Sequence, residues 1–117
     1  MNTSLNLLVL RCKDIEATRQ FYEKLGFSFV AEKHGAGPDH LASTNCPFVL
    51  ELYPAAKDQG SDNVRLGFSV TSLSQISLDF QSEVISLTQT GAADGPIVLL
   101  LRDPDGRKVE IRQEHDG

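Results

Sequence analysis

Two glutamates sit in the middle of apolar triplets, Glu51 in Leu50-Glu51-Leu52 and Glu110 in Val109-Glu110-Ile111, 59 residues apart. In a strand successive side chains point to opposite faces, so each carboxylate looks away from its apolar neighbours. Such a carboxylate can simply be solvated, can hold a cation, or can take a proton from a carbon acid. Tyr53 follows Glu51 by two positions, shares its face, and is a candidate to line the same pocket. His40 opens a short apolar segment and His34 begins the loop His34-Gly35-Ala36-Gly37-Pro38. An imidazole can give or take a proton near neutral pH, so either could act on a ligand, although turn and surface roles are commoner. Glu51, Glu110 and His40 are therefore the catalytic candidates. His115 lies in a polar tail. Cys12 and Cys46 have no neighbouring His or basic cluster to activate a nucleophile, and they form no metal or disulfide framework.

Composition excludes several functions. Sixteen acidic against eleven basic residues give a net charge of −5, with no basic block. Nucleic acid and anionic membranes both need clustered Lys and Arg, so neither is an expected partner. An acidic balance weakly favours a cationic ligand. No stretch approaches the roughly 18 apolar residues of a membrane span. The opening Met1-Asn2-Thr3-Ser4 lacks the pattern of a signal peptide. With two cysteines read as reduced thiols, a cytoplasmic protein is expected. The 117 residues suit one domain, and 40% hydrophobic content is not low enough for disorder.

The elements that must position these residues follow from local pattern. The run from Leu5 to Arg11 reads as a buried strand. Asp14 is a candidate N-cap for a helix over 14–25, whose apolar stripe is Ile15, Thr18, Phe21, Tyr22 and Leu25. Gly26 suits its left-handed end. Phe27, Phe29 and Ala31 alternate as a strand, His40 to Ser43 forms a short one, and Phe48 to Tyr53 carries Glu51. After a polar connector from Pro54 to Asn63 the pattern restarts. Val64 to Val70 is a strand, Ser72 caps a serine-rich helix over 72–82, and Val84 to Thr88 alternates. Gly91 to Pro96 is a loop, and Asp103-Pro104-Asp105-Gly106 is the reverse turn of the final hairpin, with Gly suited to a positive φ. Both halves thus run strand, helix, strand, strand, strand. Asp14 and Ser72 are 58 residues apart, close to the spacing of the two Glu triplets. This is the pattern of an internally duplicated βαβββ unit, with modules at about 4–54 and 63–113.

Phe21-Tyr22-Glu23-Lys24-Leu25-Gly26-Phe27 after Asp14-Ile15, then Leu50-Glu51-Leu52, and the Asp103-Pro104-Asp105-Gly106 turn ahead of Glu110 carry a family likeness. The chain resembles the vicinal oxygen chelate superfamily, the glyoxalase, bleomycin-resistance and extradiol-dioxygenase fold. The resemblance implies an α+β fold of two βαβββ modules forming a curved, cup-like mixed sheet. It also implies a homodimer and a small-molecule ligand. In the family's metal enzymes one ligand comes from the first and last strand of each module, here Leu7, Glu51, Arg65 and Glu110. Glu51 and Glu110 match that pattern, whereas leucine has no donor atom and a guanidinium stays protonated. No metal or other cofactor is therefore expected, unless unexpected ligands such as His40 are recruited. Arg65 would instead neutralise both carboxylates through forked hydrogen bonds in a partly enclosed site, as ligand recognition or as a plain structural ion-pair network. The expected ligand-binding set is Leu7, Glu51, Tyr53, Arg65 and Glu110. Two activities fit: a metal-free binding protein that sequesters a small or cationic ligand, or a lyase, isomerase or dioxygenase-type enzyme acting on a small oxygenated substrate. Scarcity of aromatic residues weakens the case for a planar drug. A third possibility is a structural module with a vestigial cup.

Overall fold

The computed structural model describes residues 1–56, 62–80, 84–89 and 97–113. The chain falls into two compact units, Met1–Gly60 and Ser61–Gly117. The first contains β1 (Leu7–Cys12), α1 (Ile15–Glu23), β2 (Val30–Glu32), β3 (His40–Ser43) and β4 (Val49–Pro54). The second contains β5 (Leu66–Val70), α2 (Leu73–Asp79), β6 (Val84–Gln89), β7 (Ile97–Arg102) and β8 (Lys108–Gln113). Each forms a four-stranded sheet, ordered β1-β4-β3-β2 in one and β5-β8-β7-β6 in the other. In each, the first strand lies parallel to the last, and the remaining pairs are antiparallel. The fold is α+β with two βαβββ units, as the duplicated pattern predicts. Among the described residues, no helix is long and apolar enough to cross a membrane.

In the first unit Asp14 caps α1 as expected, its side chain accepting from the Ala17 amide at 3.2 Å. Past the helix, Gly26 takes φ 105°, and the Phe27 amide donates back to the Tyr22 carbonyl at 3.3 Å, closing the last turn. The helix is two residues shorter at its end than the stripe suggests, because Leu25 is already in this closing turn. Thr18, Phe21 and Tyr22 pack with Leu10, Cys12, Leu50 and Leu52, all at most 3% exposed. Phe27 and Phe29 are not in a strand. Asn45 explains the difference: its carboxamide oxygen accepts from the Ser28 amide at 3.1 Å, and its nitrogen donates to the Gly26 carbonyl at 2.9 Å. Side-chain bonds thus replace the ladder bonds that the alternation anticipated, and only Val30–Glu32 pairs with β3.

The second unit buries Leu66, Leu73, Phe80, Val98, Leu99, Leu101, Val109 and Ile111. Ser72 has the extended backbone of a cap but makes no side-chain capping bond. The Leu73 amide instead donates to the Gln113 side chain at 2.8 Å, so β8 caps α2. The helix ends at Asp79, with residues 81 and 82 of the expected 72–82 span outside the described residues. The expected loop at 91–96 also lies outside them. The Asp-Pro-Asp-Gly turn forms, with the Gly106 amide donating to the Asp103 carbonyl at 2.9 Å and Gly106 at φ 89°.

Behind that turn lies a buried charge that local pattern does not announce. Arg107 has a side chain only 2% exposed, and its guanidinium donates to Asp62 at 3.0–3.2 Å and to Asp103 at 3.2 Å. Asp105 Oδ2 stands 3.5 Å away. Asp103 also accepts from the Asp105 and Arg107 amides at 2.9 Å, which fixes the turn around the ion pair. Burial works against the charge on Arg107, but hydrogen bonds to Asp62 and the charge of Asp103 outweigh it and hold the guanidinium above its ordinary value.

Replacing Arg107 by Leu strands two buried carboxylates, so a loss of about 3–5 kcal/mol is expected in urea unfolding at neutral pH. Asp62 carries a sign as well. The hydrogen bond from Arg107 holds its carboxyl below the ordinary 3.8. Stability from that carboxylate is complete above pH 3.8 and is lost as pH falls through the lower folded value. An Asp62→Asn variant is expected to show a flatter stability profile in that acid window than the wild type. Parallel profiles would refute the linkage.

Candidate functional site

Alternation along β4 decides which side chains can meet. Leu50 and Leu52 are fully buried on the α1 side, so Glu51 and Tyr53 project from the opposite face. On β3, Ala42 stands opposite Glu51 in register, and His40, two residues earlier, shares that face. On β2, Glu32 is paired with His40. Three strands therefore deliver Glu32, His40 and Glu51 to one face. The connection after β2 adds His34, where the Gly37 amide donates to the His34 carbonyl at 3.0 Å and Gly35 adopts φ 59°.

The side chains converge. His40 Nε2 lies 3.4 Å from Glu51 Oε2 and 3.8 Å from Glu32 Oε2, while His34 Nε2 lies 3.0 Å from the same Glu32 oxygen. Each of the four residues offers one ligand atom within 4.8 Å of the others. The His40 side chain is 1% exposed and Glu51 16%, whereas His34 is 70% exposed. His40 stacks on Tyr53 with centroids 4.2 Å apart and planes 8° apart, and the Arg11 guanidinium lies 4.8 Å from the Tyr53 ring centre. The Tyr53 hydroxyl is 3.4 Å from His40 Nε2. Because the rings are parallel, that oxygen sits over the imidazole rather than in its plane, and the contact is stacking rather than a directed hydrogen bond.

In the second unit Arg65 precedes β5 instead of lying within it, so the strand expected from Val64 begins at Leu66. Its Nη2 reaches Glu110 Oε1 at 3.4 Å, with side chains 53% and 32% exposed. Among the described residues this is one long contact rather than a fork. Opposite Glu110 in register is Gly67, which leaves a hollow of about 290 Å³ lined by Gly67, Phe68, Ser69, Glu110 and Arg112.

A model of the Glyoxalase/Bleomycin resistance protein/Dioxygenase superfamily matches residues 4–111. The chain belongs to that superfamily. Among solved structures, a virulence protein from Salmonella typhimurium is similar at 25% identity and TM-score 0.72, covering 98% of this chain and 99% of its own. An integron cassette protein from the mobile metagenome of V. cholerae is similar at 27% identity and TM-score 0.67, with 98% of each chain covered. Lactoylglutathione lyase from Agrobacterium tumefaciens, at 16% identity and TM-score 0.70 over 97% of this chain and 95% of that one, shares the fold. No curated protein matches the sequence.

The residues at the superfamily's four metal positions do not fit an ion. Leu7 is an exposed hydrocarbon on β1, and Arg65 already places a cation on Glu110. Of the six site residues expected from sequence, His40, Glu51 and Tyr53 come together in the first unit and Arg65 with Glu110 in the second. Leu7 shares the face of Val9, which is paired with Glu51. Glu32 was not anticipated. Nothing local marks it, since its role depends on the β2–β3 register. His115 lies outside the described residues.

The exposure of Arg65 sets its energetic weight. Arg65→Leu is expected to cost no more than about 0–1 kcal/mol, the range of surface ion pairs. Urea unfolding showing a loss above about 3 kcal/mol would mean instead that the pair is enclosed and desolvated.

Proposed function

We propose that this protein binds a small molecule on the sheet face bearing Glu51, as a glyoxalase/bleomycin-resistance-like binding protein without an ion at the superfamily's metal positions. The observation that supports this reading is the buried His40, stacked on Tyr53 and set beside Glu51 and Glu32. A sheet face needed only for packing would not gather an imidazole and two carboxylates, because each costs free energy to desolvate. The two carboxylates favour a cationic ligand, and Tyr53 with Arg11 supplies a flat wall beside them. Leu7, on the same face of the first unit's sheet, belongs to the proposed ligand-binding set; Arg65 and Glu110 are proposed to contact a ligand at the second unit's own sheet. Action as a cytoplasmic homodimer, without nucleic acid or membrane, belongs to the same proposal and is supported by family resemblance and charge.

A second reading has its own support. The Glu51–His40 contact at 3.4 Å joins a carboxylate to an imidazole, a pair able to move a proton between carbon and oxygen. It fits a lyase or isomerase acting on a small oxygenated substrate.

The first reading is tested by calorimetric titration, in buffer containing a chelator, with quaternary-ammonium and polyamine probes and their neutral isosteres. Wild type is expected to prefer the cations, and Glu51→Gln to weaken them about ten-fold or more while leaving the thermal midpoint in place. Equal binding of cationic and neutral probes would remove the reading. Solvent deuterium entering an α-hydroxy ketone, lost in Glu51→Gln, would favour the enzyme instead.

A further inference from the structure

Four possible ligand atoms, one each from Glu32, His34, His40 and Glu51, gather in the first unit within 4.8 Å of one another. His40 Nδ1 faces the Pro38 carbonyl at 3.3 Å, and a carbonyl only accepts, so Nδ1 carries the hydrogen of that bond. In the neutral ring this leaves the lone pair on Nε2, the atom 3.4 Å from Glu51 and 3.8 Å from Glu32. His34 Nε2 closes on the same Glu32 oxygen at 3.0 Å. In the tautomer that carries its hydrogen on Nδ1, His34 likewise turns a lone pair toward Glu32, and all four residues then present a donor atom that a metal ion can accept.

The distances support the ion. Four ligands arranged tetrahedrally at about 2.0–2.2 Å from a metal stand roughly 3.3–3.6 Å from one another. Three of the six separations, 3.0, 3.4 and 3.8 Å, bracket that spacing, and all six lie within 4.8 Å. Two imidazoles and two carboxylates balance a divalent charge, and imidazole nitrogen selects first-row transition ions over Mg²⁺ and Ca²⁺. The outer shell is built too: the Pro38 carbonyl orients the His40 ring, and Tyr53 clamps its face. His34, more exposed than the other three and held beside Glu32, is the outermost of the four donors.

We propose that Glu32, His34, His40 and Glu51 form a binding site for one divalent transition-metal ion, with Zn²⁺ the best fit. The site goes beyond small-molecule binding, for it requires neither an organic ligand nor any residue of the second unit, and only Glu51 belongs to the superfamily's metal positions.

The test uses the full chain without an affinity tag, stripped by a chelator and titrated with Zn²⁺ against a chromophoric competitor, then with Co²⁺ followed by visible absorption. One ion per chain is expected, with the visible bands of four-coordinate Co²⁺. His34→Ala and Glu32→Gln, both at accessible side chains, are expected to weaken Zn²⁺ about ten-fold or more without shifting the thermal midpoint of the stripped protein. Glu110→Gln is expected to bind as wild type does. No uptake at micromolar Zn²⁺, undiminished affinity in both first-unit variants, or loss of binding in Glu110→Gln would each overturn the site. Organic cations measured under chelator are expected to bind His34→Ala as they bind wild type, so failure of the metal site and failure of the ligand reading give different results.

Discussion

Parallel pairing of the first and last strand in each unit is the constraint on which the rest depends. Two parallel strands cannot be joined by a tight hairpin, so the chain must leave the sheet and return, and the helix lies within that long return path. The helix covers one sheet face and fills it with Leu50, Leu52, Phe21 and Tyr22 in the first unit. Once that face is taken, the period of two leaves Glu51 and Tyr53 nowhere to point but away from it. The orientation of the Glu51 face is therefore a consequence of topology before it is a matter of chemistry. Any register slip of one residue in β4 would turn Glu51 into the apolar core and expel Leu50 and Leu52.

Two buried nitrogen-bearing side chains, Arg107 and His40, show how differently the units use polar groups. Arg107 is saturated: three carboxylates surround its donors, and its neighbours' amides complete Asp103. Such a network holds a turn in one conformation and has little left to offer a ligand. His40 is equally buried, but its surroundings are acceptors and ring faces. The first arrangement spends its polar groups on one another, whereas the second gathers groups that can also serve as ligand donors.

What could be read from the sequence was what is local. Asp14, Gly26 and the Asp-Pro-Asp-Gly turn act through bonds spanning three to five residues, and each does in the fold what its type suggests. Glu51 and Glu110 were visible because alternation alone sets their faces. Glu32 and Arg107 were not, for their partners lie across a hairpin or 45 residues away, at Asp62. Phe27 and Phe29 misled because alternation describes side chains, whereas the backbone there was claimed by Asn45, 17 residues on from Ser28. Arg65 was located by family pattern as a strand residue, but that pattern could not tell that it precedes β5 and stays half exposed.

Leu7 and Arg65 offer no donor to an ion, and the carboxylates Glu51 and Glu110 each need a counter-charge. Glu110 has a guanidinium from its own unit, permanently charged and partly in water, where a long contact suffices. Glu51 has no such residue within salt-bridge reach among the described residues; its neighbour at that range is an imidazole. Enclosure makes the need sharper for Glu51, whose side chain is half as exposed as that of Glu110. A fixed cation therefore stands beside Glu110, whereas an imidazole stands beside Glu51. Duplication supplied both units with the same carboxylate position, and their divergence lies in which group each sets beside it.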